Sequence, residues 1–143
     1  MAKYISYHNR VAWRGEHRGF TWMGSGAAQI FSAPKDLYGI PDVLTPEDAL
    51  MAAANTCIHM MVIWVMERFK IELVSYECEA EGIVEEFIDL TSKFVKITMK
   101  PRLVVKNASK DVVMRALAQA RKYSTICESL NCDVVIEPTV TVV

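Results

Sequence analysis

The stretch that most constrains this chain is TPEDALMAAANTCIHMMVIWVMERF, residues 45–69. Thr45 has the character of a helix N-cap, Pro46 suits the first helical position, and Glu47 and Asp48 suit the positive end of the helix dipole. The helix that follows is apolar almost all round, which is the pattern of a helix buried by its surroundings. Its middle, AAANTC, is built of small residues that let another backbone or a ligand approach closely. Such a helix needs cover on most sides, and 143 residues supply few layers. The expectation is therefore a dimer whose second copy provides part of the cover, against a monomer with the helix under its own sheet.

The flanking segments set the fold class. Tyr4–Tyr7 and Val11–Trp13 have strand character, and Gly15, Gly19, Gly24 and Gly26 punctuate residues 3–32 as short strands. The segment APKDLYGIPDVL, residues 33–44, reads as a loop. Residues 71–80 and 93–105 read as strands joined by an acidic turn, EGIVEEFIDLTSK. A helix over Val112–Lys122 opens at Ser109 with Asp111 in its first turn, and a short helix over Ser124–Leu130 precedes a final strand, Cys132–Val143. Strands, long helix, strands, helix pair and strand make an α+β domain spanning residues 1–143.

Composition excludes several functions. The 16 basic and 17 acidic residues nearly cancel, whereas a nucleic-acid binder needs clustered positive charge. MAKYISYHNR lacks a signal-peptide core, and the longest apolar run, Cys57–Met66, is too short to span a bilayer, so the expectation is a soluble, cytoplasmic protein. His8, His17 and His59 are widely spaced and match no zinc pattern, so no metal is expected. Without an export signal, Cys57, Cys78, Cys127 and Cys132 read as thiols rather than a disulfide framework. Cys78 shares a strand face with Tyr76 and Ala80 and reads, like Cys132, as packing. His59 projects to a different side of the helix from Cys57, so the two do not form a catalytic pair. Cys57 is either a core cysteine or a thiol with room beside it.

LTPEDALMAAANTC resembles the central helix of the OsmC/Ohr family, in which a Pro-Glu start precedes a cysteine ten residues beyond the glutamate: here Pro46, Glu47 and Cys57. AWRGEHRG is similar to the family's Trp-x-Gly strand, and ARKYSTICESLNCDVVI to its helix-to-strand segment, so the likeness covers nearly the whole chain. The resemblance implies an intertwined homodimer with two interface sites, which reduces organic hydroperoxides and binds no cofactor. It assigns Cys57 as the attacking thiol, Glu47 as an orienting carboxylate, and Arg18 as the supporting guanidinium, with Arg14 the weaker candidate. A second cysteine would close a disulfide that an external dithiol reduces. Glu47 and Cys57 lie about 15 Å apart along a straight helix, so Glu47 serves Cys57 of the other copy, or the helix bends sharply.

One segment departs from the family. Where members read Tyr-Cys-Pro-Val-Ser, this chain reads Tyr123-Ser124-Thr125-Ile126-Cys127. Ser124 takes the resolving position, and Cys127 stands one helical turn, about 5 Å, further along. A disulfide needs its Cβ atoms within about 4.5 Å, so Cys127 is at most a displaced resolver. Three functions follow: a thiol peroxidase using Cys57 alone or with Cys127, served by an external dithiol or small thiol; a non-catalytic dimer binding a bulky thiol or thioester metabolite in its cleft; or a structural, stress-associated dimer.

Overall fold

In the computed structural model, which describes residues 2–143, three short strands open the chain. β1 (Asn9–Trp13), β2 (Arg18–Met23) and β3 (Ala28–Ser32) form an antiparallel sheet in that order. Tyr4–Tyr7, expected as a strand, is not one: β2 ends at Met23, paired with Asn9, and β-propensity has no effect without a strand to pair with. The β1–β2 turn places Gly15 (φ 94°) and Glu16 (φ 50°) in left-handed backbone, and the β2–β3 turn uses Gly26 (φ 102°). Residues 33–44 form the expected loop, apart from a 3₁₀ turn at Lys35–Leu37. A first compact unit ends at Leu50, and Met51–Val143 forms a second.

Helix α1 runs unbroken from Pro46 to Arg68. Thr45 caps it as expected, but in partnership with Asp48. Thr45 Oγ1 accepts from the Asp48 amide (3.0 Å), and Asp48 Oδ2 accepts from the Thr45 amide (3.1 Å). Its 23 residues are long and apolar enough to cross a membrane by length and composition, which corrects the estimate from Cys57–Met66 alone. Burial of the helix is one-sided. Ala54, Ile58, Val62, Val65 and Met66 are buried, yet Met60 is 52% and Trp64 38% exposed, so one apolar face is open in the single chain.

β4 (Glu72–Glu86) and β5 (Ser92–Lys106) form a hairpin longer than the sequence reading, with the turn confined to Phe87–Thr91. Most of the supposed acidic turn is strand: residues 81–86 pair across the ladder with residues 92–98. Glu77 pairs with Arg102, Glu79 with Lys100 and Glu85 with Lys93 across the ladder, and Arg102 reaches Glu77 at 3.1 Å.

Two helices follow: α2 (Lys110–Lys122), capped by Ser109 accepting from the Val112 amide at 3.3 Å, and α3 (Thr125–Glu128). The expected final strand is two, β6 (Asp133–Ile136) and β7 (Thr139–Val142). Both run parallel to β5, and parallel pairing needs the crossover that α2 and α3 supply. β6 pairs with Lys96–Met99 and β7 with Arg102–Val105. Pro101 thus falls between the two pairings, where its missing N–H disturbs neither. The alternating Ile97, Met99, Leu103 and Val105 of β5 pack with the buried residues of α1 and with Val113, Ala116, Leu117 and Ala120 of α2.

Candidate functional site

Cys57 lies half-buried in the middle of α1. Chain reversal at the end of α2 brings Ser124 to it. Tyr123 closes α2, and Ser124 in extended backbone (φ −73°, ψ 107°) caps α3. The Ser124 hydroxyl donates to Cys57 Sγ at 3.2 Å and accepts from the Cys127 amide at 3.2 Å. With both partners made and no exposed surface, that hydroxyl is fixed in direction, and no water competes for it.

Cys127 is 1% exposed and packs in the core. Burial pushes its thiol up; the Ser124 hydrogen bond and the positive charge of Arg121 offset part of this. A thiol pushed up is a poor nucleophile near neutrality. Arg121 is held by Glu128 at 2.9 Å, which ties α2 to α3 and so steadies Ser124 between them.

Cys78 and Cys132 are partly buried against the core. Cys132 precedes β6 by one residue rather than opening it. Burial raises the Cys78 thiol and the Tyr76 phenol. His59 stacks on Tyr76, ring centroids 4.7 Å apart, on the far side of the helix from Cys57. Among the described residues, no cluster of three His, Cys, Asp or Glu could hold a metal.

In the first unit, Arg18 opens β2 opposite Ser32, while the Arg14 guanidinium lies 5.5 Å from the Trp22 ring. Glu47 is exposed in the first turn of α1; the capping carboxylate is that of Asp48. Sequence reasoning missed a surface beside Cys57. Met60, Met61 and Trp64 follow Cys57 by three, four and seven positions, hence on its side of the helix. Trp64 meets Tyr123 edge-on at 5.6 Å, and Arg68 sits 4.8 Å from the Trp64 ring. An all-apolar run reads as uniformly buried, which hides this exposed aromatic pair.

Fold and site together define an α+β protein whose long helix carries a half-buried cysteine contacted from a C-terminal helix pair. The model of the OsmC-like protein family matches residues 39–139, and the chain belongs to that family. It is 28% identical over 123 residues to uncharacterized protein YmaD of Bacillus subtilis, covering 85% of this chain and 81% of YmaD. An OsmC-like protein of unknown function from Vibrio cholerae has the same fold, with a TM-score of 0.85 at 18% identity over 95% of this chain and 100% of that one. An organic hydroperoxide resistance protein from Elizabethkingia anophelis, solved with thiocyanate bound, gives a TM-score of 0.76 at 14% identity over 99% of both chains.

Proposed function

We propose that this protein is a thiol-dependent peroxidase of organic hydroperoxides, that it acts as a homodimer, and that Cys57 is its attacking thiol. The observation that carries this reading is the 3.2 Å contact between Ser124 Oγ and Cys57 Sγ. It gives Cys57, a half-buried sulfur, a directed donor, and the resemblance assigns the family's second thiol to the place of Ser124.

In the reaction, the Cys57 sulfur attacks the terminal peroxide oxygen. The O–O bond breaks, the alcohol leaves with a proton, and Cys57 becomes a sulfenic acid. Arg18 is assigned to the departing oxygen as a guanidinium donor, and Glu47 of one copy to orienting that guanidinium for Cys57 of the other. The exposed face of α1, with Met60 and Trp64, fits two roles: cover by a second copy and an apolar approach for an organic peroxide. The usual resolving cysteine is replaced by Ser124, so an external thiol regenerates Cys57, with buried Cys127 the internal alternative. Family membership and the hydroperoxide resistance protein among the fold relatives support a role in peroxide stress.

The hydroxyl at the resolving position also favours a second reading, a non-catalytic dimer that holds a bulky thiol or thioester metabolite. Stopped-flow oxidation with cumene hydroperoxide and hydrogen peroxide, on the wild type and Cys57→Ser, separates the two. Rapid sulfenic acid formation at Cys57 supports the peroxidase; a Cys57 inert to both peroxides leaves the binding dimer.

A further inference from the structure

Ser124 does more than fill the place of a missing thiol. A serine hydroxyl has one proton and two lone pairs. One lone pair accepts from the Cys127 amide at 3.2 Å, and the proton goes to Cys57 Sγ at 3.2 Å. The backbone of α3 therefore aims the proton, and the proton aims the sulfur. A hydrogen bond of this kind shortens and strengthens when its acceptor carries charge. The bond fixes the direction of the Cys57 sulfur, through a buried hydroxyl that water does not reach.

The same placement closes one chemical route. A hydroxyl cannot condense with a sulfenic acid to make a disulfide. Cys127, which adjoins Ser124, is buried, with its thiol pushed up by burial and its amide engaged by the Ser124 hydroxyl. Cys57 itself, by contrast, is only half-buried.

Building on the peroxidase reading, we infer that Ser124 is a positioning residue for Cys57 and commits it to mixed-disulfide chemistry with an external low-molecular-weight monothiol. In the cycle, the Cys57 sulfenic acid and the monothiol RSH give a mixed disulfide, Cys57–S–S–R, and water. A second RSH attacks the sulfur of R, forming RSSR and releasing Cys57 with the transferred proton. The hydroperoxide is the oxidant, reduced to its alcohol, and two monothiols supply the two electrons.

The test uses an aromatic disulfide, dithionitrobenzoate, which modifies Cys57 without any peroxide and so separates this inference from the peroxidase reading. In the wild type, the mixed disulfide on Cys57, mapped by mass, is expected to persist. In Ser124→Cys, the introduced thiol should expel the second thionitrobenzoate and close an intramolecular disulfide with Cys57, leaving a product lighter by two hydrogens than the reduced variant. Iodoacetamide alkylation of Cys57 reads the positioning role. Ser124→Ala should slow it by about tenfold, the loss of one directed donor to the sulfur, and Ser124→Thr should restore most of the rate. A wild-type mixed disulfide that collapses to a disulfide between Cys57 and Cys127 would overturn the inference. So would alkylation rates equal in wild type, Ser124→Ala and Ser124→Thr. Should Ser124→Ala fail to fold, the Ser124→Thr and Ser124→Cys variants, which keep a polar atom at the contact, still decide between these outcomes.

Discussion

Ser124 Oγ and Cys57 Sγ lie 3.2 Å apart, joined by a hydroxyl proton that the Cys127 amide orients from behind. They stand 67 positions apart in the chain, and the contact depends on α2 and α3 meeting at a sharp corner against α1. Any change that loosens that corner acts on Cys57 at a distance.

Glu128→Gln is such a change. It breaks the 2.9 Å pair with Arg121 that ties α3 to α2. The pair is largely exposed, so stability should fall by less than about 1 kcal/mol in chemical denaturation. Alkylation of Cys57 should nonetheless slow measurably, because Ser124 loses its bracing. An unchanged alkylation rate would show that the corner holds without the ion pair.

Arg18→Ala should slow oxidation of Cys57 by cumene hydroperoxide by about a hundredfold, the scale of losing one charged donor to a departing oxygen. Arg14→Ala should stay close to the wild type, because the Arg14 guanidinium is engaged over Trp22. The two rates, measured by stopped flow, rank the arginines directly.

Much of this arrangement is legible in the sequence. The cap at Thr45 and the α2 cap at Ser109 follow from short-range residue chemistry. What is not legible depends on partners distant in sequence. The acidic stretch Glu81–Glu86 reads as a turn until its ladder partners between Ser92 and Thr98 are placed opposite it. Parallel pairing of β6 and β7 with β5 leaves no periodic signature, and neither does the meeting of Trp64 and Tyr123. The open face of α1 is hidden because an all-apolar helix does not reveal which side its own chain leaves bare.

Thr45→Ala removes one half of the reciprocal cap with Asp48 and should lower unfolding free energy by about 1 kcal/mol. Ile97→Ala, at a fully buried position of β5, should lower it by about 3 kcal/mol. Urea denaturation followed by circular dichroism measures both. A larger loss from the cap than from the core site would contradict the packing described.

The tip of the β4–β5 hairpin should respond to acid. The Asp89 carboxylate accepts from the Thr91 hydroxyl (2.6 Å) and amide (3.0 Å), which holds its carboxyl below the usual range. Its folded value lies under the unfolded one, so the stabilisation is present above the unfolded value and is lost as pH falls through the folded value. Amide exchange at Thr91 should therefore show more protection at neutral pH than in Asp89→Asn, and the difference should vanish in strong acid.

The central claim is that Cys57 is the thiol that meets the peroxide. Stopped-flow mixing of reduced protein with cumene hydroperoxide, with sulfenic acid trapped by dimedone and located by mass, tests it most directly. The account predicts rapid labelling at Cys57, slower labelling with hydrogen peroxide, and none in Cys57→Ser. A Cys57 that stays reduced while the peroxide persists, or labelling that falls on Cys78 or Cys132 instead, would contradict it.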